Sequence, residues 1–338
     1  MLPEGNRAGT ILPETWEVRT DLATEAHAAV SRRRAMDGVM VEERRDDPDI
    51  TVQRVRIESR EAAERIGKAP GRYVTIHSPQ LRQRSRSHGA RVAAALAEEL
   101  EDLLRLRVDP GASVLLVGLG NWNATPDALG PRVVEQVLVT RHMGDAAPVE
   151  LHGSLRSVAA VAPGVLGITG METGEIVRGI VKEVHPDRVV CVDALACQDP
   201  DRLTTTIQLA DTGIRPGSGV GNQRAALTEE TLGIPTIALG VPTVVHAISI
   251  VESSLKLVTD GFQGRGKWSG LFEALGQEMG DGSLLHDVLW PKLGSLMVTP
   301  KEIDQLIEEV AWVIAGALNA VLHPGIDLSD FGDYAQHG

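Results

Sequence analysis

The sequence predicts an α/β protein: a three-layer α/β/α sandwich around a mostly parallel sheet. Three observations carry this. Near-continuous apolar runs such as Val114–Val117 and Val189–Val192 read as strands buried on both faces, the pattern of parallel sheets. Stretches with apolar residues at helical spacing separate them. The two patterns alternate along the chain, which places helices on both faces of one sheet.

The elements follow in order. Residues 39 to 59 (VMVEERRDDPDITVQRVRIES) read as two strands turned by DDPD. Residues 90 to 107 (ARVAAALAEELEDLLRLR) form an amphipathic helix. A strand over 113 to 117 runs into a Gly-rich turn, and a helix begins near Pro131. Residues 177 to 184 are helical, 187 to 196 (DRVVCVDALA) form a buried strand, and 231 to 245 (TLGIPTIALGVPTVV) supply another. A long helix over 302 to 322 closes the chain. No repeat of solenoid length occurs.

Composition narrows the function. The 338 residues carry 46 acidic against 33 basic side chains, a net charge of −13, so no broad phosphate-binding face and no direct nucleic-acid partner is expected. The short basic stretches at 31 to 34 and near 82 to 86 read as solvated surface. No run of about 18 apolar residues suggests a membrane span. The first 18 residues lack a basic region followed by an apolar core, so they do not read as a signal peptide. Cys191 and Cys197 read as buried free thiols of a reducing compartment.

Most familiar motifs fail on inspection. In GLGNWNATPDALGP (118 to 131) the sixth position of a dinucleotide turn is Asn123 rather than Gly, and Asp127 would repel a phosphate at the helix N-terminus. GFQGRGKW (261 to 268) has phosphate-loop spacing, but Trp268 stands where Ser or Thr would hold magnesium. Neither His-Glu-x-x-His nor Gly-x-Ser-x-Gly occurs. His142, His185 and His246 are scattered singly, and the cysteine spacing is not that of zinc ligands, so neither a metal nor a cofactor is expected.

Two aspartates stand out. Asp193 ends an apolar strand, where a charge is costly unless paired or used. Asp127 has a competing role as a helix cap. Both are expected at one edge of the sheet, and open α/β sheets place sites at the carboxyl ends of their strands. Two close carboxylates can share one proton, one activating water as base and the other protonating a leaving amine. The residues alone thus point to an acid–base hydrolase.

The segments VGLGNWNATPDALGP (117 to 131), APGVLGITGMETGEI (162 to 176), VDALA (192 to 196), TTIQLADTGIRPGSGVGNQR (205 to 224) and ETLGIPTIALGVPTVV (230 to 245) closely resemble the germination protease family of spore-forming bacteria. RTDLATEA, GRYVTI and MVTPKEID extend the match almost end to end. The resemblance implies an atypical aspartic endopeptidase with a fold like that of hydrogenase-maturation proteases. It implies that Asp127 and Asp193 are catalytic and that small acid-soluble spore proteins are the substrates. A homotetrameric, self-processing zymogen in the cytoplasm of the spore core follows in the same way. Family substrates are cut in a context like Thr-Glu-Ile-Ala-Ser-Glu, and Thr20–Glu25 (TDLATE) copies it. Residues 1 to 21 would then be a leader cut at Asp21-Leu22, leaving one protease domain over 22 to 338. His246 stands where the family pattern has Asp, and the stretch between about 255 and 290 is short for the family. The alternative is a hydrogenase-maturation-type, metal-recognising endopeptidase.

Overall fold

A computed structural model describes residues 20–31, 37–109, 111–144, 154–216, 225–262 and 289–325. Most of the leader and the phosphate-loop-like stretch from residue 263 onward lie outside these.

The described residues build one nine-stranded sheet. Its strands are β1 (Val39–Asp47), β2 (Ile50–Ile57), β3 (Gly71–His77), β4 (Val114–Gly118), β5 (Val158–Val161), β6 (Arg188–Cys197), β7 (Thr206–Ala210), β8 (Thr236–His246) and β9 (Met297–Val298). Their order is β1-β2-β3-β7-β8-β6-β4-β5, with β9 added to β8. The buried apolar runs behave as expected: β5, β4, β6 and β8 are parallel neighbours. The other half, from β1 through β3 and β7 to β8, is antiparallel, so the sheet is mixed.

Side chains alternate between faces along a strand, and this sorts the core into layers. Val190 and Val192 of β6, Leu116 of β4 and Ile207 and Leu209 of β7 point to one face. There they meet α3 (Arg86–Leu104), α4 (Leu129–Gln136) and α9 (Ile303–Leu322). In α3 the contacts come from Val92, Leu96, Leu100, Leu103 and Leu104, one stripe at helical spacing. α9 is long and apolar enough to span a bilayer, with mean hydropathy 1.4, yet most of it is buried between α3 and α4. It is the core helix of this layer.

The opposite face carries α1 (Ala23–Ser31), α2 (Arg60–Ile66) and α6 (Thr173–Val184), as the three-layer expectation requires. α2 is bounded as its sequence dictates. Ser59 caps its first turn by accepting from the Ala62 N–H, and Gly67 ends it at φ 71°. Glu172 and Glu175 form a capping box on α6. The short helix α5 (Leu166–Thr169) precedes α6, and α7 (Glu229–Leu232) and α8 (Ala247–Phe262) lie between α6 and the closing helix. Of the basic cluster near residue 82, Arg82 is structural rather than merely solvated: its guanidinium donates to the Pro200 and Leu203 carbonyls.

Candidate active site

Asp193 is buried within β6, not at its end, because the strand runs on to Cys197. The neighbouring strand β4 stops earlier, at Gly118 opposite Val192, so Asp193 is the first β6 residue beyond that pairing. By alternation it shares a face with Val189, Cys191 and Leu195. Its carboxylate accepts from the Ala194 N–H at 2.9 Å.

The competing reading of Asp127 as a helix cap does not hold. The residue closes a 3-10 turn, Thr125–Asp127, and it is not the cap of α4; that position is Ala128. Hydrogen bonds along the main chain tie this turn to β6. The Asp127 carbonyl accepts from the Asn121 N–H at 2.9 Å, and the Leu119 N–H donates to the Val192 carbonyl at 2.8 Å. Val192 immediately precedes Asp193, so three residues, 119 to 121, bridge one aspartate to the other.

Two glycines make this approach possible. A Cβ on Gly120, whose φ is +119°, would lie 1.9 Å from the Asp127 carbonyl oxygen. A Cβ on Gly130 would lie 2.3 Å from the Leu119 oxygen and 2.6 Å from the Val192 oxygen. Gly120 and Gly130 of GLGNWNATPDALGP are therefore packing devices that let the main chain of the Asp127 turn lie against β6.

On the Asp193 face, residues 20 to 25 dock against the carboxyl-terminal half of β6. The Asp21 N–H donates to the Ala196 carbonyl at 3.0 Å, and the Asp21 carboxylate accepts from the Ala196 N–H at 2.9 Å. Leu22 is fully buried with Leu195, Cys197, Leu203 and Val245. Glu25 accepts from the Gln198 and Asp199 N–H groups at 2.9 and 3.0 Å, and Arg202 lies 3.5 Å away. Gly240 of β8 pairs with Asp193 on one side and Gln208 on the other, and the Leu195 side chain fills the space over it, 2.6 Å from where a Cβ would lie.

The remaining sequence candidates are accounted for individually. Cys191 and Cys197 are both buried and free, and burial pushes each thiol far above its ordinary pKa, so neither is a nucleophile at neutral pH. His246 is buried at the end of β8, where it pairs with Met297 of β9. His142 and His185 are exposed. Among the described residues no cluster of three or more His, Cys, Asp or Glu could hold a metal.

A family model described as germination protease matches residues 16–269 and 262–335. The chain belongs to the germination protease family. Relatives that bear that name include the following three. One from Clostridium perfringens is 44% identical, over 94% of this chain and 99% of the relative. One from Caldanaerobacter subterraneus is 45% identical, over 91% and 95%. One from Bacillus cereus is 42% identical, over 94% and 97%. Among solved structures, a NiFe hydrogenase maturation protease from Thermococcus kodakarensis aligns at 18% identity and TM-score 0.32, covering 65% of this chain and 97% of that one. Membership in the germination protease family makes the chain a peptidase with a role in germination. Sequence reasoning did not find Lys68, Gln208 or Arg202 as partners of the docked segment. Lys68 and Arg202 lie in no recognisable motif, Gln208 lies within the 205 to 224 segment without standing out there, and only the TDLATE pattern itself gave a signal.

Proposed function

We propose that this chain is an endopeptidase of small acid-soluble spore proteins in which Asp127 and Asp193 share the acid–base work. It is made with residues 1 to 21 as a leader that it cuts from itself at Asp21-Leu22. The observation that supports the reading most is the docking of Thr20–Glu25 on the Asp193 face, with its acidic and apolar side chains separately accommodated. One carboxylate takes a proton from water as the water attacks the carbonyl carbon. The other gives a proton to the departing nitrogen. Homotetramer assembly and residence in the spore core belong to the same reading.

The test combines two substitutions with two readouts. Asp127→Asn and Asp193→Asn preserve shape and remove the titratable oxygen, so each should lose at least about 100-fold in rate while folding normally. N-terminal sequencing of the processed chain should begin at Leu22, and mass mapping of a digested small acid-soluble spore protein should give cuts after acidic residues. A folded Asp193→Asn protein that works at the wild-type rate would remove that residue from the chemistry.

A further inference from the structure

The carbonyl oxygen of Asp21 receives two hydrogen bonds from side chains remote in sequence. Lys68 Nζ donates to it at 2.9 Å and Gln208 Nε2 at 3.0 Å. Gln208 is fixed in that orientation, because its Oε1 accepts from the Ala23 N–H at 2.6 Å. One amide thus grips both sides of the Asp21-Leu22 bond. Gln208 stands on β7, paired to Gly240, and Asp193 pairs to the same glycine from β6. The two side chains therefore share one face, two inter-strand spacings or about 10 Å apart at their Cα atoms.

Lys68 is the more unusual member. It lies just past the Gly67 cap of α2, and its ammonium is turned inward, with burial pushing its pKa below the ordinary lysine value against the pull of Asp21 and Glu25. Its hydrogen bonds go to the neutral carbonyls of Thr20 and Asp21. A half-buried cation directed at a neutral amide oxygen is a poor electrostatic match in the ground state. It becomes a good one when that oxygen acquires negative charge.

We propose that Lys68 and Gln208 form the oxyanion site of the peptidase, holding the carbonyl oxygen of the residue before the cut. This rests on the proposed cleavage at Asp21-Leu22. As water adds to the carbonyl carbon, its proton passes to the catalytic carboxylate and the carbonyl π pair moves onto oxygen. Lys68 and Gln208 donate hydrogen bonds to that oxyanion without surrendering a proton. The pair then returns to re-form C=O as the C–N bond breaks, and the nitrogen takes a proton from the partner carboxyl group. An external substrate would present its carbonyl to the same two donors once Thr20–Glu25 has left.

The experiment uses the full chain and follows the first-order appearance of the Leu22 N-terminus. Lys68→Met keeps the aliphatic stem and removes the charge, and Gln208→Met removes the amide. Loss of one oxyanion donor should slow processing by about 100- to 1000-fold. Lys68→Arg should recover part of the loss. Docking is read separately in an Asp193→Asn background from amide exchange at Ala23, which should stay protected when Lys68→Met is added. Processing within about threefold of wild type in both methionine variants would overturn the proposal. So would loss of Ala23 protection in step with the rate, since Lys68 would then only anchor the segment. If Asp193→Asn alone still processes, it is the underlying acid–base reading that has failed.

Discussion

Gly130→Ala should damage catalysis through the backbone, without touching either aspartate. The new Cβ would sit 2.3 Å from the Leu119 oxygen, 2.4 Å from the Leu119 nitrogen and 2.6 Å from the Val192 oxygen. Ordinary contact begins near 3.4 Å, so the start of α4 must withdraw from β4 and β6 by about 1 Å. The Leu119–Val192 hydrogen bond lies directly in the way, and weakening it costs about 1 kcal/mol. Overpacking adds about 1–3 kcal/mol, and the lower chain entropy of alanine returns at most about 1 kcal/mol. A net loss of about 1–3 kcal/mol leaves a domain of this size folded. Asp127 travels with the displaced turn while Asp193 stays in β6, and a misplacement of about 1 Å between reacting groups can cost about 100-fold in rate. Urea unfolding and the rate of self-processing measure the two effects. If Gly130→Ala matches the wild type in both midpoint and rate, the 119–121 bridge does not position the pair.

Gly179→Ala is the complementary control: the position is exposed on α6 and nothing lies within 4 Å of the added methyl, so the variant should gain about 0.5–1 kcal/mol in urea unfolding with processing unchanged. Stability should also fall as the pH drops below about 6.5. Burial holds His323 below the ordinary histidine pKa, the Leu138 carbonyl opposes this and Arg156 reinforces it, while burial depresses His77 and His88 in the same sense. The unfolded chain then binds protons that the folded one resists, so stability is constant above the unfolded value and is lost below it. Thermal midpoints between pH 7.5 and 5.5 test this, and a flat profile would contradict it.

Local chemistry made much of this structure readable. DDPD turns β1 into β2, the Leu stripe of α3 shows its spacing, and the apolar run around Cys191 makes β6. Asp193 was legible because a carboxylate in such a run is conspicuous. The antiparallel course from β3 through β7 to β8 was not, because the pairing of β3 with β7 is set by which edges remain free after folding. Asp127 stood out in the sequence as well, but its place at the end of a 3-10 turn rather than at a helix cap goes with the Asn121 N–H reaching back to its carbonyl. Lys68 could not be read at all. In GKAP it resembles any surface-turn lysine, and its significance comes from a carbonyl 47 residues away.

The burial of Leu22 gives the two products of the proposed cut opposite fates. Before cleavage its nitrogen is a neutral amide that donates to Thr20 Oγ1 at 3.0 Å, with the side chain fully enclosed. Cleavage turns that nitrogen into an ammonium beside an apolar cluster and separates it from Thr20, and leaving such a charge enclosed costs several kcal/mol. The new amino end is therefore driven out towards water. On the other side, Asp21 gains a terminal carboxylate facing the Lys68 ammonium, and the severed leader is held more tightly than before. The protein would then emerge from its own processing as a complex with the piece it cut away, active only at the pace at which that piece departs.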